Sequence, residues 1–478
     1  MRAVVEGLEQ RQLFCAVHAL TGSALAAALT GRSSLTMDDD LAPGGPQTVI
    51  AKTRVGTPKI NPPASAAPAD DEPVGAAPGQ VNGAAIFGGG IYGAAAANFA
   101  ARADGLPLLS SRPAAPFTVF LDFDGWAGNG FTGAENWTPY NTDGNAAAFG
   151  ATEAAAVAEG WRRVASFMAP FDVNVTTVEP ANLASTAKNF SWSIISNGVS
   201  GGYSYLQLGG PRPSAFNQAS DLLTRTSGVL HELGHNFSLQ HQSLYDAAGT
   251  KTTEYRSRLD AIHGVTMGID YDGTPPKWTY GHPATSAGAA QDDVAVIASK
   301  VKPFEPAGGD GFRPDDVGDA PAAAADLAAG TGGVRTAFGV VERLSDADAY
   351  HLDSAGGRYT LSLVPDSPSA LDGKLDVYAA DGTLLASADD PLKIDAAVTL
   401  DLPAGDYYAV VRSHGNYGDV GAYEVRAAAV PPVVPPAENA LPAPAAAGVA
   451  LGSGTAVTVT WAPVAGATGY VVERSPDG

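Results

Sequence analysis

HELGHNFSLQH, residues 231–241, places three of the chain's eight histidines and one glutamate within eleven positions. His231 and His235 are four residues apart, so on a helix they project from one face and can aim a ring nitrogen at a common point. Glu232 sits about 100° further round the helix, where its carboxylate faces a water on a bound ion rather than the ion itself. His241 decides the local fold. On a continuing helix it would stand about 15 Å along the axis from His231, far beyond the roughly 2.0 to 2.1 Å of a zinc–nitrogen bond. If His241 joins the other two, the helix ends just after His235 and the chain reverses. Such an exit asks for one residue at positive φ, where glycine carries no penalty; the sequence offers Ser238, with Asn236 as the alternative. The competing reading is a polar helix face whose histidines are satisfied without metal.

Upstream, PFTVFLDFDG alternates from Phe117 to Phe123 as a strand and stops at Asp124-Gly125. ATEAAAVAEGWRRVASFMAPF then repeats apolar groups at helical spacing through Val157, Trp161, Val164 and Phe167, and ends before Pro170. FDVNVTTVE, WSIIS and YSYLQL read as strands. Ser220 is placed to cap the helix that carries Leu222, Leu223, Val229, Leu230, Leu233 and the histidines. Downstream, AGAAQDDVAVIASKV reads as a closing helix, with Asp292 and Asp293 either partners of its dipole or exposed. His263 and His282 read as solvated loop histidines.

Strand, long helix, further strands and a helix bearing HExxHxxxxxH resemble the metzincin clan of zinc endopeptidases. LDFDG with WRRVASFMAPFDVNVTT is similar to a group of bacterial secreted metallopeptidases, and the likeness covers about residues 117–303. The resemblance implies an α+β catalytic domain with a mixed sheet and long helices. It also implies Zn2+ held by His231, His235 and His241, Glu232 as general base, and Met267, in HGVTMGIDYDG, as the methionine turn beneath the metal. A protein or peptide is the substrate, aligned along the strand YSYLQL. Two positions depart from the pattern. Ser238 stands where the clan usually has glycine, and Ile269 stands where some members carry a tyrosine. Tyr271 is then either a transition-state contact or a packed turn residue.

Residues 1–31 read as an export leader, with the broken apolar run LFCAVHALTGSALAAAL. Residues 32–116 read as a low-complexity linker or pro-segment. Residues 304–333 form a second linker. Residues 334–428 read as all-β, with short alternating strands joined by glycine and aspartate turns, and resemble the pre-peptidase C-terminal β-sandwich domain. There Asp346, Asp348 and Asp376 either bind Ca2+ or serve as turn residues. Residues 429–450 are a proline-rich linker, and 451–478 resemble part of a fibronectin type III sandwich. The expected architecture is therefore multidomain, an α+β domain followed by all-β sandwiches.

A formal net charge of −22 over 478 residues argues against nucleic acid or an anionic membrane as partner, and no stretch reads as a membrane span. With Cys15 the only cysteine, no intramolecular disulfide can form. Two function classes follow: a secreted or cell-surface zinc endopeptidase, or a surface adhesion protein that carries a decayed metalloprotease-like domain. In either, the β-domains are placed to hold a cell-surface or extracellular polymer. Glu232 and all three histidines being present favours the enzyme.

Overall fold

The structure, a computed structural model, describes residues 91–129, 134–183, 185–199, 201–219, 227–269, 275–330, 333–366 and 370–430, with the backbone of 447–451 and 457–461. The leader, the first linker up to residue 90, Ser220, Tyr271 and most of the chain beyond residue 430 lie outside the described residues. Among the described residues, 91–430 belong to one compact unit; the antiparallel hairpin Ala447–Leu451 with Val457–Trp461 belongs to another.

The first part is built on a five-stranded sheet. Its strands are β1 (Phe117–Asp122), β2 (Val173–Thr176), β3 (Phe190–Ser196), β4 (Gly202–Ser204) and β5 (Ala215–Gln218), and their order is β2-β1-β3-β5-β4. All pairings are parallel except β5 with β4, the edge strand. Alternation on β1 explains the layering. Phe117, Val119 and Leu121 join the core beneath the helices, while Phe120 joins Phe190, Trp192, Ile194 and Phe216 on the opposite face. Parallel strands covered on both faces need apolar residues on both, and β3 is buried throughout. Of YSYLQL, only Tyr203 and Ser204 lie within β4.

Helix α1 (Ala151–Phe167) lays Val157, Trp161, Val164 and Phe167 into that core, and Trp161 Nε1 donates to Val175 O of β2 at 2.8 Å. Residues 91–116, within the stretch read as linker, add Tyr92, Leu106 and Leu109. The long helices expected are not seen throughout: α1 has 17 residues, but α2 (Ser227–Asn236) has 10 and α3 (Asp293–Val301) has 9. The reason for α2 is local, since its chain must leave the helix axis at Asn236 for His241 to turn back.

The β-rich part contains β10 (Val334–Val341), β11 (Ala347–Pro365), β12 (Gly373–Ala379), β13 (Leu384–Ala388), β14 (Ala396–Ser413) and β15 (Gly421–Ala429). The sequence reading of short strands joined by glycine turns is corrected here. β11 and β14 are single strands of 19 and 18 residues, paired antiparallel along their length. Gly356 and Gly357, at φ +90° and +125°, lie inside β11. Gly356 and Pro403 are unpaired between the pairs Ala355–Ala404 and Gly357–Leu402, and the register is the same on both sides, so glycine bends the ribbon instead of ending it. Each strand takes a further partner after its bend: β11 pairs with β15 from Tyr359 on, and β14 pairs with β12 from Tyr407 on. Tyr350 and Leu352 from one half and Leu361 and Leu363 from the other share one core, so the sheet rolls over itself. β10 runs antiparallel to β15, with Val334 opposite Ala428.

Polar contacts join this part to the first. Arg162 Nη1 of α1 donates to Asp366 Oδ1 at 2.7 Å, Ser166 Oγ donates to Asp366 Oδ2 at 2.6 Å, and Val294 N of α3 donates to Tyr417 Oη at 3.0 Å.

Candidate metal centre

Helix α2 delivers His231 and His235 from one face, with ring centroids 4.7 Å apart. Its exit delivers His241. Ser238 lies at φ +73°, the one non-glycine residue at positive φ among the described residues, and donates its N–H to His235 O at 2.8 Å. Leu239 N closes back on Gly234 O at 3.1 Å, the pattern of a left-handed helix end. Asn236, the alternative for the strain, has a different task. Its Oδ1 accepts from Ser191 and Ser214 at 2.6 and 2.8 Å, and its Nδ2 donates to Tyr205 O and Ser214 O, which ties the helix end to the sheet.

The three histidines are buried, 2, 2 and 4% exposed, and their ligand atoms lie within 4.8 Å of one another. Each Nδ1 meets an oxygen acceptor: His231 faces Thr266 O at 2.9 Å, His235 faces Leu239 O at 2.8 Å, and His241 faces Glu254 Oε1 at 2.9 Å. Carbonyls accept only, so Nδ1 of His231 and His235 must carry the hydrogen, and Nε2 is left as a lone pair. His235 Nε2 and His241 Nε2 face each other at 3.1 Å. Burial, then the neighbouring histidines, drives His231 well below the usual imidazole range; burial and His241 take His235 down to about 3. Neutral rings with converging lone pairs are the donor set that zinc takes.

The supports of these rings come from distant sequence. Strand β6 (Gln242–Tyr245) turns through Asp246, whose Oδ1 accepts from Ala248 N and Thr250 N. β7 (Lys251–Thr253) then returns antiparallel, so Glu254 arrives beside His241. Tyr255 follows, its ring centroid 4.3 Å from that of His241. Met267 is buried beneath α2. A Cβ on Gly234 would fall 2.3 Å from its Sδ, so a side chain at that position of HELGH would displace Met267. Met267 O accepts Gln242 N at 2.7 Å, which fixes the residue after His241.

A second brace runs through β8 (Tyr280–Pro283), β9 (Gln291–Asp292) and α3. Gln240 N donates to Gln291 Oε1 at 2.9 Å, and Asp293 accepts from Gln242 Nε2, Gln291 Nε2 and Thr279 N at 2.8 to 3.0 Å. Burial pushes the Asp293 carboxyl up to about 7, against those hydrogen bonds. Asp292 caps α3 by accepting Ala295 N at 2.8 Å. Glu232 is fully buried, and a Cβ on Gly202 of β4 would lie 2.7 Å from its Oε1, so the carboxylate is packed against the edge strand.

Glu254, Tyr255, Thr266, Gln291 and Asp293 had no motif to announce them in these roles. His263 is corrected: it is 1% exposed, because the β-rich part covers its loop, whereas His282 is exposed as expected. Of the three aspartates considered for calcium, Asp346 groups with Asp315 and Asp319. Asp348 accepts from Tyr423 and Asp376 from Ser387.

No known protein family matches the sequence, and no curated protein does. Among solved structures, the chain is similar to the pre-peptidase C-terminal domain of a collagenase from Bacillus anthracis, at 14% identity over 24% of this chain and 97% of that one, with a TM-score of 0.18. It is also similar to PliG from Aeromonas hydrophila, a periplasmic inhibitor of g-type lysozyme. That match has 15% identity over 22% of this chain and 94% of that one, with a TM-score of 0.18. Among the described residues no helix is long and apolar enough to cross a membrane.

Proposed function

We propose that this protein is an exported bacterial zinc endopeptidase. The observation that carries the reading is the set of fixed Nδ1 contacts, which leaves three buried imidazole lone pairs aimed at one point. Nε2 of His231, His235 and His241 would hold zinc, which when bound would supply Lewis acidity toward the substrate carbonyl and a more acidic water. Glu232 accepts the proton of the attacking water and returns it to the leaving nitrogen. β4 ends the sheet beside Glu232, so a peptide laid along it by main-chain pairing passes the base. Met267, packed on Gly234, forms the floor of the site. Tyr255 is the phenol brought to the histidines, and it joins Tyr271 as a candidate for contact with the transition state.

Calcium is assigned to Asp315, Asp319 and Asp346, three hard oxygen donors within 4.8 Å of one another. The β-rich part is assigned to binding substrate or a surface polymer.

Zinc analysis with casein digestion tests the function. The wild-type chain is expected to hold zinc and cut casein, and Glu232→Ala to hold zinc and lose hydrolysis, by about a hundredfold or more for a lost base. Zinc bound by a wild-type chain that never hydrolyses a peptide would point instead to a surface-binding protein. Near-normal turnover in Glu232→Ala would remove Glu232 from its role.

A further inference from the structure

A second group of donors lies where the two parts of the chain meet. His263 precedes the short strand Gly264–Val265, Asp372 precedes β12, and Asp419 precedes β15. A ring nitrogen of His263 and one oxygen from each aspartate lie within 4.8 Å of one another. The three residues are 1, 3 and 0% exposed. His263 Nδ1 faces both oxygens of Asp260, at 2.9 and 3.1 Å, so Nδ1 carries the hydrogen and Nε2 is the lone pair left for the group. That Nε2 is buried and has no hydrogen-bond partner. An imidazole nitrogen enclosed without a partner costs free energy unless something fills the position.

Beside the group lie Lys277, fully buried and paired with Asp419, and the His414–Asp389 pair, which faces Asp372. Two aspartates at −1 each and Lys277 at +1 leave a net −1 in the enclosed group; His414 and Asp389 stand beside it as a pair of opposite charges, and Asp260 adds another −1 at its edge. The Asp419 loop is firmly seated: Gly418 is at φ +77°, and a Cβ there would lie 2.2 Å from Trp278 O. Asp419 Oδ2 accepts Asn416 N at 2.7 Å and its Oδ1 accepts Lys277, but each oxygen has a second lone pair. A cation can therefore enter without expelling the lysine.

We propose that His263, Asp372 and Asp419 form a second metal site that takes a divalent transition metal such as zinc and joins the β-rich part to the segment carrying Thr266 and Met267. One imidazole and two carboxylates suit zinc or manganese. Asp260 is the outer carboxylate that orients the ring. The site lies three residues before Thr266, whose carbonyl holds His231, so it steadies the primary centre from outside. The assignment does not depend on peptide hydrolysis.

The test strips the full chain with a chelator and reloads it with zinc in excess calcium, which fills the Asp315–Asp319–Asp346 group. Two zinc ions per chain are expected, falling to one in Asp372→Asn, to one in His241→Ala and to none in the double variant. Anomalous diffraction at the zinc edge from wild-type crystals reads the same site where a variant fails to fold, with a peak expected among His263, Asp372 and Asp419. A single zinc that His241→Ala removes, or no peak at that position, overturns the proposal and leaves Lys277 and His414 as the counter-charges. A single zinc that Asp372→Asn removes sustains it and sinks the histidine-triad reading instead.

Discussion

Ser238 holds a backbone conformation that costs an L-residue on the order of 1 to 2 kcal/mol, and the ring of His241 three residues later depends on it. Ser238→Gly relieves the strain at the smaller cost of a freer unfolded chain, so a gain of about 1 kcal/mol is expected with zinc content unchanged. A melting temperature below that of the wild type would show that the turn does not carry this penalty. The Asp293 carboxyl, raised by burial from its ordinary value to about 7, adds a pH dependence. Between about pH 4 and 7 the folded chain holds a proton that the unfolded chain has lost, so stability falls as pH rises through that window and then levels. Thermal melts from pH 4 to 8 should show this decline in the wild type and a flatter profile in Asp293→Asn; equal slopes would exclude Asp293 as the source. At this scale the motif was legible, because spacing on a helix is local. Glu254, Thr266 and Asp293 were not, because each reaches its partner through a hairpin, a turn or a helix start 13 to 51 residues away.

Among the elements, the contact between α2 and β4 places Glu232, the proposed base. Gly202 leaves room for the Glu232 carboxylate, and Gly202→Ala would push a methyl to within 2.7 Å of Oε1. The base then shifts while the three histidines keep their anchors. Zinc content is expected to hold and kcat to fall on the order of tenfold or more; unchanged kcat would detach Glu232 from catalysis. Strands β1, β2 and β3 were readable from their apolar runs, and α1 from its 3.6-residue repeat; β4 covers only the start of YSYLQL, and β5 had no sequence reading. The ribbon of β11 and β14 was not readable. A Gly-Gly pair in a sequence signals a turn, and only the partner strand shows that Gly356–Gly357 is a bend within one strand.

Across the whole molecule, the junction was the least legible feature, since His263, Asp372 and Asp419 span more than 150 positions and share no local pattern. Asp315 and Asp319 lie on the connection into the β-rich part and Asp346 lies within it, so a calcium ion there ties connection to sheet. Calcium is expected to raise the melting temperature of the stripped protein, and a calcium-selective chelator to lower it again. A melt indifferent to calcium would leave these aspartates as surface charge.

The pairing of β10 with β15 bears on how the molecule meets mechanical load. Val334 stands opposite Ala428, so β10 begins and β15 finishes at the same end of two neighbouring antiparallel strands. Tension applied at these two points does not slide the strands past each other, which would strain all their hydrogen bonds at once. It peels them from the Val334–Ala428 end, one pair after another.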